Sequence, residues 1–295
     1  MRLIDLHCHS TASDGSDDPA ELVRKAEHAG LAALAVTDHD SIAGLDEARR
    51  SAEGTGLELI RGCEISARGE GGELHILGLW IPRHHPNLSA FEGMLRELRD
   101  HRTARNQSMV YRLRTLGCSL SYDDVLAEAG GESVGRPHIA SVLVRKGYAK
   151  SAREVFARYL GSKGSAYEPK KVLPPEEAVE LLLSVGATAA IAHPGLITAS
   201  DAWLEATIIR LKACGLSALE AYHSEHSERD VRFCLGLAAR QGLVVCGGSD
   251  YHGRLKPDIA LGTGRGGLRV PERLLDQLKQ RRREQGLPVE DPLCP

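Results

Sequence analysis

Short apolar runs and helix-period segments alternate along the chain. Leu3, Ile4 and Leu6 make a buried strand at the N-terminus. Pro19 opens a helix over 20–29, which Gly30 ends. A continuous apolar run over 31–36 predicts the next strand, and a helix follows from Ser41 to about 54. Strands are predicted over 57–61 and 74–80. The same alternation returns late in the chain. Helices are predicted over 176–185, 201–214, 226–241 and 271–286, with strands over 187–192, 216–221 and 243–247. This βαβα rhythm predicts an α/β fold with a parallel sheet and crossover helices.

The rhythm breaks between 88 and 167. A long Arg-rich amphipathic helix over 89–116 is followed by helices starting at Ser121, at Gly135 and over 151–160. Segments 161–165 and 169–175 read as a return linker. The expected organisation is a barrel from 1–86 and 172–295, with an all-helical cap over 87–171 inserted across its mouth.

Composition changes this picture little. Of 295 residues, 42% are hydrophobic and 26% charged, ordinary for a globular chain. No apolar stretch is long enough for a membrane span, and the N-terminus lacks the apolar region of a secretory leader. The seven cysteines form no Cys-x-x-Cys pair and several, Cys63, Cys214 and Cys246, sit in apolar runs, so reduced thiols and a cytoplasmic location are expected. Cys8 should point into the barrel wall. Charge is more informative. Residues 93–171 hold fifteen Lys and Arg against eight Asp and Glu, whereas the remainder holds 22 against 32. A basic cap over an acidic body suits an anionic substrate held above a metal site.

Ligand-type side chains gather at predicted strand ends, where barrels build their sites. They are His7, His9, Asp14, Asp38, His39, Glu64, His75, His193, Asp250 and His252. Period-2 geometry lets the imidazoles of His7 and His9 reach one point. Ten such residues exceed the needs of one ion and imply two or three. Imidazole mixed with carboxylate suits Zn, Mn or Fe.

His7-x-His9, Thr37-Asp38-His39-Asp40, Ile191-Ala192-His193-Pro194 and Ser249-Asp250-x-His252 resemble the four motifs of the polymerase-and-histidinol-phosphatase family of phosphoesterases, in the same order. The resemblance covers residues 1–80 and 187–255. It implies a distorted (β/α)7 barrel and a site of divalent ions. By matching position, His7, His9, Glu64 and Asp250 would hold one metal. Asp14, His39 and His252 would hold a second. Glu64, His75 and His193 would hold a third, with Glu64 bridging. The hard oxygens of Asp14 favour Mn. Asp38 would support catalysis by orienting a ligating imidazole, or would cap its own loop.

The helical insert after His75, with its Arg136-x-His138, resembles the branch of the family that acts on nucleotides. That implies hydrolysis of a 3′,5′-nucleotide bisphosphate to the 5′-monophosphate, or of short 5′-phosphorylated RNA, by hydroxide generated at the metals. Arg136 would grip the second phosphate with a bidentate fork. His138 and His226 would donate hydrogen bonds to it or protonate the leaving oxygen. His223 is expected in a surface loop. Three rival readings exist. A barrel hydrolase of C–N bonds would want a bridging Lys where Glu64 stands. A histidinol phosphate phosphatase would have no use for the basic insert. A metal-dependent RNA-binding protein would bind without turnover. Membrane association is not expected, and oligomeric state is open.

Overall fold

The structure, a computed structural model, describes residues 2–129, 134–169 and 171–289. The elements run β1 (Ile4–Cys8), α1 (Pro19–His28), β2 (Ala33–Val36), α2 (Leu45–Ala52), β3 (Glu58–Gly69) and β4 (Gly72–Leu79). Next come α3 (Leu88–Thr115), α4 (Tyr122–Ala129), α5 (Arg136–Arg145) and α6 (Ala152–Val155), the last continued by a π-helical turn, Phe156–Leu160. The barrel part resumes with α7 (Pro175–Leu183), β5 (Thr188–Ile191), α8 (Asp201–Ala213), β6 (Ala218–His223), α9 (Glu228–Gln241), β7 (Val244–Gly248) and α10 (Arg273–Glu284).

The seven strands lie in sequence order in one sheet. It curls into a distorted barrel whose seam is closed just past β7. There the N–H of Asp250 donates to the carbonyl of His7 (2.8 Å) and that of His9 to the carbonyl of Tyr251 (2.9 Å). Gly248 makes the seam possible, since a Cβ on it would lie 2.4 Å from the backbone nitrogen of His7. Strand alternation gives the sheet two apolar faces. Inside stand Ile4, Leu6, Ile60, Leu77 and Leu79 with Ala33, Ala35, Ala190, Ala192 and Ala218, and Leu274, Leu275 and Leu278 of α10 join them at the N-terminal end. Leu34, Val36, Ile65, Ile76, Ile191 and Leu219 face outward, against the surrounding helices. Cys8 joins that outer layer.

Two expectations need correcting. The sheet is not wholly parallel, because β4 runs antiparallel to both β3 and β5. The cause is local. Glu70 and Gly71 alone connect the paired Gly69 and Gly72, and a two-residue link can join only antiparallel strands. Gly72 has φ +121°, a conformation that favours glycine. The strand predicted to end at 61 therefore runs on to Gly69.

The reversal also reshapes the insert. β4 ends at the far end of the barrel, so the chain must climb back. α3 does this in 28 residues, about 42 Å at ~1.5 Å per residue. Its lower part, Phe91, Leu95 and Leu98, packs in the barrel's outer layer, and its upper part, Met109, Val110 and Leu113, in a separate cluster with α4, α5 and Leu160. The helix expected to belong to the cap from residue 87 is thus shared by both bodies. Among the described residues, no helix is long and apolar enough to cross a membrane.

Candidate metal centre and substrate cavity

Glu64 is the hub. It points inward from β3 and is fully buried. Its Oε1 lies 2.9 Å from His75 Nδ1 and 3.0 Å from His193 Nε2. Its Oε2 lies 3.3 Å from both His7 Nε2 and His9 Nε2 and 3.1 Å from His39 Nδ1. The reversal of β4 is what brings His75 here, because the start of an antiparallel strand lies at the same rim as the ends of its parallel neighbours. Asp250 Oδ1 stands 3.2 Å from His9 Nε2, and Asp14 Oδ1 stands 3.4 Å from His252 Nε2.

These side chains form four overlapping groups: His9, Asp14, His39 and His252; His7, Glu64 and His193; His7, His9 and Asp250; and His39, Glu64 and His75. Within each group the donor atoms lie within 4.8 Å of one another. His7 Nε2, His9 Nε2, His39 Nδ1 and Glu64 Oε2 are buried without a hydrogen-bond partner among the described residues. Buried polar atoms are normally satisfied, so orphans converging on one point fit cations there. Divalent ions therefore fit the residues present.

The charges agree. Burial opposes ionisation of Glu64, but His39, His75 and His7 outweigh it and hold the carboxyl well below its usual range. Burial also opposes the His7 imidazolium, and Glu220 and Glu64 overcome it, holding that pKa well above the ordinary value. His39 goes the other way. Burial depresses it well below the ordinary value in spite of Glu64 and Asp14, leaving a neutral imidazole. Backbone strain collects here too. Asp40, His193 and Asp250 are three of the four non-glycine residues with positive φ among those described, at 49°, 28° and 55°. Such conformations cost of order 1–3 kcal/mol each and persist where surrounding structure enforces them.

Sequence reasoning gave no role to the residues that hold this cluster. Glu220 accepts from His7 Nδ1 (3.0 Å) and from the His193 N–H (2.7 Å), fixing one imidazole and the strained loop bearing another. Lys256 donates to Asp250 Oδ2 (2.6 Å), and His223 Nε2 lies 3.5 Å from the same oxygen. His223 is thus buried beside the centre and not in a surface loop. Asp5 accepts from the N–H groups of Ser249 (2.8 Å) and Gly262 (2.7 Å), fastening the end of β7 to β1. Arg102 of α3 is paired with Asp40, tying the cap to the barrel.

A cavity of about 670 Å³ lies between the barrel mouth and the cap. Asp14, His39, Glu64, His75, His193, Asp250 and His252 form its floor. The cap supplies Arg102, Arg105, Asn106 and Arg136, beside an apolar wall that includes Val144, Ala152 and Phe156. Arg105 is 93% buried, its Nε donates to the Glu168 carbonyl (2.8 Å), and its Nη2 has no partner among the described residues. Burial, with Arg136 nearby, pushes its pKa down to about 10. The Arg136 guanidinium sits 5.6 Å from the Phe156 ring centroid, with Nη2 3.7 Å from Glu73.

Three candidate residues do not reach this cavity. Asp38 was expected to orient a ligating imidazole or to cap its own loop; its carboxylate accepts from Ser10 N–H (2.8 Å), Ser10 Oγ (2.6 Å) and Ser13 Oγ, so it braces the loop that leads to Asp14. His226 was expected to donate a proton or grip phosphate. Its Nδ1 donates to the Ala221 carbonyl (2.9 Å) and its Nε2 accepts from the Gly195 N–H (3.1 Å), so both nitrogens are spent. His138 does not line the cavity either: its Nδ1 accepts from the Gly135 N–H (3.0 Å), capping α5, while its buried Nε2 has no partner among the described residues.

Residues 5–164 match the PHP domain family model. The chain belongs to the PHP family. Among PHP relatives, a 5′-3′ exoribonuclease of Haemophilus influenzae is 37% identical, with 84% of this chain and 89% of the relative aligned. A 3′,5′-nucleoside bisphosphate phosphatase of Chromobacterium violaceum is 34% identical, over 85% and 88%. The solved structure of a Bifidobacterium adolescentis protein described as a metal-dependent phosphoesterase superposes with a TM-score of 0.83 at 33% identity, covering 95% and 96% of the two chains. The chain is a metal-dependent phosphoesterase, a hydrolase of phosphoric ester bonds.

Proposed function

We propose that the protein removes the 3′-phosphate of a 3′,5′-nucleotide bisphosphate and cleaves short 5′-phosphorylated RNA, both substrates read by a phosphate next to the reacting one. The observation that carries this is the unpartnered Nη2 of the buried Arg105, on the wall facing the carboxylate–imidazole cluster. A buried guanidinium with an idle donor favours an anion, and two charged walls suit two phosphates. Arg136 adds a second fork, and Phe156, Val144 and Ala152 offer an apolar surface to a base or sugar. The two relatives' names, one a bisphosphate phosphatase and one an exoribonuclease, fit the same pair of walls.

His7, His9, Asp14, His39, Glu64, His75, His193, Asp250 and His252 would hold two or three divalent ions, with Glu64 shared. Mn is favoured over Zn and Fe because three of the residues supply hard carboxylate oxygens. Bound there, such ions supply a hydroxide nucleophile at neutral pH and neutralise the non-bridging oxygens. Glu220 and Lys256 keep His7 and Asp250 in place. Arg105 and Arg136 fix the distant phosphate so that the reacting ester rests over the cluster.

The test is phosphate or nucleotide release, with Mn supplied, from 3′-phosphoadenosine 5′-phosphate, 5′-AMP, histidinol phosphate and a short 5′-phosphorylated RNA. Turnover of the bisphosphate and the RNA well above the other two is expected. Equal or faster turnover of histidinol phosphate overturns the reading.

A further inference from the structure

A second cleft, of about 560 Å³, lies beside the cavity between α9 and the glycine-rich segment 262–269. Three arginines line it, Arg232, Arg265 and Arg269, together with Tyr222, which is half-buried against the core. Glu228 lines it as well and pairs with Arg232 (3.3 Å). Arg269 donates only to the carbonyls of Gly266 and Leu268 among the described residues. The two spaces adjoin: Glu225 lines the cavity, and it pairs with Arg265 of the cleft (3.3 Å), which also pairs with Asp258 (2.8 Å). On the cavity side the rim continues with Arg254 and Lys256. At Gly266 and Gly267, nothing stands within 4 Å of where a Cβ would be, so a chain can lie close to that backbone.

Cations spaced along a groove with an aromatic face among them suit single-stranded nucleic acid. The arginines meet phosphates and the ring meets a base, without reading sequence. A mononucleotide held between Arg105 and the cluster has no use for this cleft. A strand whose 5′ end is held there runs on beyond the cavity, and the cleft adjoins the cavity at Glu225.

We infer that this cleft holds the 3′-ward continuation of a single-stranded RNA whose 5′ end occupies the cavity. The inference rests on the RNA half of the proposed function. Arg232→Glu and Arg269→Glu, both on exposed side chains outside the cavity, test it in the Mn-loaded enzyme. With a 5′-phosphorylated 12-mer, kcat/KM should fall about tenfold in the double variant, and the salt dependence of KM should flatten by about 1.4 units of log–log slope, since each of the two lost single-strand phosphate contacts contributes roughly 0.7. Turnover of 3′-phosphoadenosine 5′-phosphate should not change. RNA turnover equal to wild type overturns the inference, as does a parallel loss on both substrates. A wild-type enzyme that hydrolyses the bisphosphate but not the 12-mer removes this inference and leaves the phosphatase reading standing. One that hydrolyses neither removes both.

Discussion

Glu220 shows how much a single carboxylate can organise. It accepts from the ring of His7 and from the backbone of His193. Glutamine offers one acceptor and one donor where two acceptors are needed, so Glu220→Gln must leave one of these N–H groups facing an amide N–H. Partners of this kind are typically worth 10–100-fold in metal affinity. Mn affinity measured by calorimetric titration should fall within that range while circular dichroism stays unchanged, and an unaltered affinity removes the orienting role. The ligand-type residues were legible because imidazoles and carboxylates have few other uses at the ends of apolar strands. Glu220 was not, because its partner His7 lies 213 positions away and a lone carboxylate within Ala218–His223 does not announce one. His138 and His226 show the opposite failure. Their residue type suggested chemistry, and only their neighbours reveal that backbone groups hold both nitrogens of His226 and the Nδ1 of His138.

At the scale of elements, the strands and helices were readable from period and punctuation, and the direction of one strand was not. Gly69-Glu70-Gly71-Gly72 carried the signal, and so did the alternation of Cys63, Ile65 and Ala67 with Glu64, Ser66 and Arg68. Reading the helix–strand rhythm alone passed over both. The barrel seam sets a tighter constraint. A methyl group at Gly248 would meet the backbone of His7, which cannot move without shifting the cluster. Gly248→Ala should destabilise by about 1–3 kcal/mol, as overpacking does, and should weaken metal binding as well. Urea denaturation compares the two proteins, and an unchanged midpoint shows that the seam can open without cost.

At the scale of the molecule, the acidic body and basic insert predicted from charge counts become two walls of one cavity. What charge could not foretell is how they are joined. α3 contributes to two apolar clusters at once, and Arg102 on the same helix is buried against Asp40 of the barrel. The insert therefore has no boundary along which it can melt alone. Losing the upper half of α3 frays its lower half and strips Phe91, Leu95 and Leu98 from the barrel's outer layer. Insert and barrel should unfold as a single cooperative unit, with the calorimetric enthalpy equal to the van't Hoff enthalpy. Two resolved transitions in a scan of the intact protein would show that the long helix breaks between them.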